Sequence, residues 1–134
     1  MSELGAQRHR ARERALELLY EAAMKGRAVS VILAELRVPP DAYTAALLGA
    51  VAHDDVQALE LIRTLSIDWP LERMAVLDRL ILTLATCEML MDDAPPTAVI
   101  LDEAVELAKT YSTDGSPSFV NGVLSSIAEV VHQS

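Results

Sequence analysis

Apolar residues recur every three or four positions along nearly all of this 134-residue chain, and the Pro and Gly residues that interrupt them fall in clusters. A repeat near 3.6 buries one stripe of a helix, whereas a strand needs strict alternation. The chain is therefore expected to be all-α, with its helices separated at the Pro and Gly positions. Apolar residues make up 51% of the chain and aromatic residues only 4%, so the core should be aliphatic and Leu- and Ala-rich. That apolar content argues against disorder, and the length suits one domain, 1–134, with a real core.

The periodicity predicts a first helix from about Ala6 to Lys25, stopped at Gly26, with Ala11, Ala15, Leu18, Leu19, Ala22 and Ala23 on its apolar face. A short helix over Ser30–Arg37 ends at Val38-Pro39-Pro40. Asp41 can then cap a long helix reaching about Leu65, with Ala45, Leu48, Ala52, Val56, Leu59 and Ile62 or Arg63 on its repeat. Inside that helix Gly49 suggests a close helix–helix contact. Trp69-Pro70 opens a new segment, followed by the most apolar helix, Met74–Met91, with Leu77, Leu80, Ile81, Leu84 and Met91 on one side. Glu88 falls on that apolar side and requires a partner. Thr97 is a candidate cap for a helix to Tyr111, and Ser116-Pro117 for a last helix carrying Phe119, Val120, Val123, Leu124 and Ile127. Gly122 in that helix would permit close backbone approach. About seven helices are expected in all.

Charge is unevenly placed. Arg8, Arg10, Arg12 and Arg14 stand against Glu13 in the span 8–14, which holds +3 in a chain of net charge −9, leaving −12 for the rest. A cationic head on an acidic body points to a specific anionic partner. On the helical wheel Arg10 and Arg14 lie on a polar face with Glu13, Glu17 and Glu21, where a pair such as Arg14–Glu17 explains them. Arg8 and Arg12 fall on the apolar side instead. Since a guanidinium is not buried there without a partner, they are expected to project past the core edge. Residues 1–15 would then form a partly flexible basic lead open to an anion.

The chemistry of catalysis finds no residues. No nucleophile–base pair, phosphate-binding glycine loop or cofactor fingerprint occurs, and no cofactor is expected. His53, Asp54 and Asp55 lack a second His at ligand spacing, and Asp102 with Glu106 reads as a solvated helix face rather than a metal site. Cys87, the one cysteine, can form neither an internal disulfide nor a thiolate zinc site, which fits a reducing cytoplasm. The first residues lack the apolar core of a signal peptide, and no run reaches the roughly 18 apolar residues of a membrane span. Two features remain open. Phe119 is either a core anchor or a platform for a base. Leu82 and Met89, set among Asp78, Arg79 and Thr86, mark either a protein-binding surface or burial against another helix.

Four stretches together resemble the NusB family of transcription antitermination factors. They are R-H-R-A-R-E-R-A-L-E-L-L-Y-E (Arg8–Glu21), V-L-D-R-L-I-L-T-L-A-T-C-E-M-L (Val76–Leu90), V-I-L-D-E-A-V-E-L-A-K (Val99–Lys109) and S-F-V-N-G-V-L (Ser118–Leu124). The resemblance implies two small helical bundles packed on each other. It also implies binding of the single-stranded boxA element of nascent RNA, jointly with the ribosomal protein NusE, in a complex on RNA polymerase that reads through ribosomal RNA operons. The RNA side would comprise Arg8, His9, Arg10, Arg12, Arg14, Tyr20 and Phe119. The protein-partner side would comprise Asp78, Arg79, Leu82 and Met89. His9 stands where a basic residue is usual, Arg14 is an added one, and Gly115 replaces a common acidic residue. Thr83 and Cys87 replace a typical Arg and aromatic. Homodimers occur in parts of the family. Two other readings compete with this one: a protein-interaction module without RNA, and an RNA-targeting domain related to those of ribosomal RNA cytosine methyltransferases.

Overall fold

The computed structural model describes residues 2–132. Six α-helices follow one another: α1 (Glu3–Lys25), α2 (Val29–Ala34), α3 (Ala42–Leu65), α4 (Val76–Met89), α5 (Thr97–Tyr111) and α6 (Ser116–Val131). A single 3-10 turn over Leu71–Arg73 precedes α4. The described residues include no strand. The chain divides into two compact units, Met1–Gly49 and Ala50–Ser134, and the division falls inside α3.

In the first unit α1 begins earlier than its apolar pattern suggested. The Ser2 hydroxyl accepts the Gly5 N–H at 2.9 Å, so residues 3–15, expected as a lead, are the first turns of the helix. Gly26, at φ 61°, ends α1 with its N–H on the Ala23 carbonyl and the Arg27 N–H on the Ala22 carbonyl. That reversal requires the left-handed conformation that Gly adopts without steric cost. Leu16 joins Ala11, Ala15, Leu18, Leu19 and Ala22 in the buried stripe, whereas Ala23 is exposed. α2, shorter than expected, follows at once, and Arg27 and Glu35 clasp each other across it. The pairing raises the Arg27 pKa and lowers that of Glu35. Asp41 caps α3 as expected, accepting the Thr44 N–H at 3.0 Å. The buried Thr44 hydroxyl then donates to the Ala11 carbonyl at 3.2 Å, fastening the start of α3 to α1.

The buried stripe of α3 runs through Thr44, Leu47, Leu48, Ala58 and Ile62, while Ala45, Ala52 and Val56 are exposed. Leu48 and Ile62 of the expected face are therefore on the buried stripe, and Ala45, Ala52 and Val56 are off it. That stripe passes through half-buried Asp55, whose charge disguises it in the sequence.

In the second unit α4, α5 and α6 pack pairwise. Every residue of α4 from Leu80 to Met89 is buried, so this helix has no solvent face along that stretch. Glu88 is buried and engaged, meeting the requirement for a partner. Glu103, beside Asp102 on α5, is buried and engaged as well. Two expected caps are displaced by one residue. Thr97 is the first residue of α5, behind Pro96, and its hydroxyl meets His132 Nε2 at the end of α6. Ser116 is the first residue of α6, behind Gly115. A Cβ at Gly49 or Gly122 meets no described atom within 4 Å, so neither glycine marks a close approach.

Two buried groups on α4 have measurable consequences. The Thr86 hydroxyl is fully buried with no hydrogen-bond partner among the described residues. Thr86→Val should therefore raise the unfolding free energy by roughly 1 kcal/mol in a urea titration, because the stranded polar atom is removed. Burial, helped by Asp54 and Asp55, pushes the Cys87 thiol from 9.0 up to about 12. Below pH 9 both folded and unfolded chains keep the proton. Between about 9 and 12 only the unfolded chain releases it, so stability falls as pH rises. Wild type should lose thermal stability relative to Cys87→Ala across that window and match its pH dependence below it.

Candidate nucleic-acid interface

The arginine cluster lies in the first unit, and one aromatic ring organises it. Tyr43, at the start of α3, receives two guanidinium groups: Arg8 Cζ lies 4.7 Å from the ring centroid and Arg12 Cζ 5.7 Å. The electron-rich ring face stabilises cations whose hydration has been reduced. Arg12 is 2% exposed, so it does not project past the core edge as expected. The wheel placed it correctly on the apolar side. What was missing were its partners: Tyr43 is one of them, and Arg12 is engaged further besides, so the charge stays with α1 in the core. Arg8, one turn earlier, is half-buried over the same ring.

Arg10 and Arg14 are exposed on the neighbouring side of α1. Arg14 reaches Glu17 at 3.9 Å, the pair expected from the spacing, and His9 reaches Glu13 at 3.5 Å. Two clefts flank this part of the helix. One, of about 420 Å³, runs between Arg10, Arg14 and the Val38-Pro39-Pro40 turn. The other, of about 630 Å³, holds Arg8 and Tyr43. Gln7 and Asp41 border both. Tyr20, farther along α1, is 39% exposed.

The remaining candidates belong to the second unit. Phe119 is half-buried between two clefts of about 340 and 530 Å³, and Trp69 lines both with it. The indole is held by its Nε1–H donating to the Arg73 carbonyl at 3.0 Å, with 47% of the residue exposed. Neither Trp69 nor Tyr43 was singled out as functional from the sequence. Their signal was rarity, since aromatic residues make up only 4% of the chain.

The proposed protein-partner set is not a surface. Leu82 is 0% exposed and Met89 5%, so of the two open readings burial is the one that the structure adopts. Asp78 is also buried, accepting the Ser112 hydroxyl at 2.6 Å. Ser112 in turn accepts from Ser116 at 3.0 Å, and Ser116 accepts the Thr113 N–H at 3.2 Å. This hydroxyl chain ties the turn between α5 and α6 to the start of α4. Arg79, half-buried, is the one member of the set with substantial exposure.

The described residues contain no group of three or more His, Cys, Asp or Glu side chains able to hold a metal, and no helix among them is long and apolar enough to cross a membrane. The arrangement instead offers planar cations, aromatic faces and clefts. Those are means of contacting phosphates and bases.

Comparison with known proteins agrees with this inventory. A family model described as the NusB family matches residues 9–129. The transcription antitermination protein NusB of Streptomyces coelicolor is 43% identical over 134 residues, covering 93% of this chain and 94% of that protein. The NusB of Thermobifida fusca is 43% identical over 126 residues, covering 91% and 89%. Among solved structures, T. maritima NusB superposes with a TM-score of 0.81 at 32% identity, covering 91% of this chain and 90% of that one.

Arg12 is a supporting residue of this site whatever else it touches. Arg12→Ala should lower the unfolding free energy by about 2 kcal/mol or more, the scale of a desolvated cation–π contact together with lost packing of the side-chain stem. Urea denaturation of Arg12→Ala beside exposed Arg10→Ala, which should change stability little, checks this.

Proposed function

The chain belongs to the NusB family of transcription antitermination proteins, and on that premise we propose that it works by holding boxA RNA jointly with NusE. It is a non-enzymatic factor. Its place of action is the cytoplasm, on the RNA polymerase complex transcribing ribosomal RNA operons. The observation that carries the RNA assignment is the distribution of charge between the two units. Residues 1–49 carry seven Lys and Arg against six Asp and Glu, while residues 50–134 carry four against fourteen. A polyanion is repelled by the second set and finds its cations on α1.

In this reading Arg8, Arg10 and Arg14 neutralise phosphates and present planar donors to base edges, with His9 beside them. Arg12 acts from behind, through Tyr43. Tyr20 and Phe119, the latter next to Trp69, supply aromatic faces on which unpaired bases stack. NusE adds contacts that the acidic body alone cannot offer RNA. Arg79 is retained as its contact, whereas Asp78, Leu82 and Met89 act through the core. Self-association of this chain would compete for the same arginines.

The experiment is a fluorescence titration of boxA RNA and a scrambled control, each with and without NusE. Wild type with NusE should prefer boxA, and Arg8→Ala with Arg10→Ala should weaken binding at least tenfold while the helical circular dichroism stays intact. Engagement of three to five phosphates predicts a log–log salt slope of about −2 to −3.5. Equal affinity for the two RNAs under every condition would rule out specific boxA recognition. For the protein contact, Arg79→Glu should abolish co-elution with NusE and leave the melting transition in place.

A further inference from the structure

We propose that the Arg8–Tyr43 cleft of the first unit is a seat for one unpaired guanine base, with the Arg8 guanidinium as its stacking surface and Asp41 as the group that reads it. The inference rests on the RNA-binding reading above and adds to it a base identity and two residues, Tyr43 and Asp41.

A guanidinium on a flexible stem is a poor platform until something holds its plane. Here Tyr43 does so, with Arg8 Cζ 4.7 Å from the ring centroid. Tyr43 itself is carried on the first turn of α3, which the Asp41 cap and the Thr44–Ala11 hydrogen bond fix to α1. Arg8 and Tyr43 are each only half-buried, and the cleft they line is about 630 Å³, within the range of clefts that take small planar ligands. An arginine plane is an established surface for a splayed-out RNA base.

The rim decides what the cleft selects. Asp41 borders it and is exposed, and Gln7 stands beside it. A carboxylate at this point disfavours a phosphate or an acidic peptide in the same cleft and favours a group with N–H donors. Asp41 already accepts one backbone N–H through Oδ1, which orients the carboxylate without using its second oxygen. Among RNA bases guanine alone places two adjacent donors, N1–H and the N2 amino group, on its Watson–Crick edge, matching a carboxylate. The second cleft begins across the same two residues and is lined by Arg10 and Arg14. A strand whose base occupies the first cleft therefore has cations for its adjoining phosphates.

The test uses the full chain and three labelled 12-nucleotide RNAs read by fluorescence anisotropy: all-uridine, uridine with one central guanine, and uridine with one central adenine. The guanine RNA should bind at least fivefold tighter than either of the others. Asp41→Asn preserves the helix cap, because Asn caps as well as Asp, and should bring the three affinities within twofold of one another. Tyr43→Leu should lose at least fivefold on the guanine RNA, and Tyr43→Phe, which keeps the ring under Arg8, should retain the preference. Circular dichroism on each variant separates a lost seat from a lost fold. Three equal affinities in wild type, or a guanine preference that survives Asp41→Asn, would overturn the seat. Absence of binding to all three also overturns it. The boxA titration with NusE decides the broader reading separately.

Discussion

A guanidinium enters an aliphatic core only if its charge is met there, and the first unit is arranged around how Arg12 satisfies that condition. The residue is buried to 2% exposure, with its guanidinium carbon 5.7 Å from the Tyr43 ring centroid. For the ring to be there, α3 must start at a defined point, which Asp41 sets by capping it. For α3 to stay against α1, Thr44 must reach the Ala11 carbonyl, immediately before Arg12 in the chain. Cap, hydroxyl, ring and guanidinium form one closed set of constraints. Arg8 shares the same ring, so its position is a consequence of the same set. Separate weak interactions of this kind gain geometric definition because each one orders the groups that the next requires.

The helices themselves were legible because local rules dominate them. Gly26 had to end α1, and Asp41 was the right residue type in the right place to begin α3. Legibility failed where the deciding partner came from another helix. Arg12 could be placed on the apolar side from α1 alone, but Tyr43 lies on α3, so projection into solvent was the inferred escape. Leu82 and Met89 gave the converse case. Charges flanking an apolar pair look the same from sequence whether they rim a surface or, as with Asp78, are themselves satisfied inside. The chain of hydroxyls through Ser112 and Ser116 was hidden for a similar reason. Ser116 read as a helix cap, and nothing local shows that the Ser116 and Ser112 hydroxyls lead to a carboxylate on α4.

Sequence identity of 43% over nearly the whole chain establishes descent and the antitermination role. It does not say which side chains carry the contacts. The geometry redistributes the tasks among the arginines: Arg10 and Arg14 stand in solvent, Arg8 lies on an aromatic ring, and Arg12 supports from the core. Four similar residues on successive turns thus differ in what a substitution would remove.

The charge imbalance bears on specificity more than on affinity. Residues 50–134 hold an excess of ten acidic groups over basic ones, and residues 1–49 an excess of one basic group. Phosphate contacts alone bind every RNA with the same energy, so a strongly cationic protein would be occupied by whatever RNA is most abundant. An acidic body lowers that background uniformly. What it leaves is binding by those RNAs that gain something further, from a stacked base or from a second protein. With few cations available, each must be held where it counts, which is the physical reason for placing an aromatic ring beneath one of them. The excess of acidic over basic residues and the fixing of Arg8 on Tyr43 are then, under the proposed guanine seat, parts of one solution: low general attraction combined with a platform that favours a particular base.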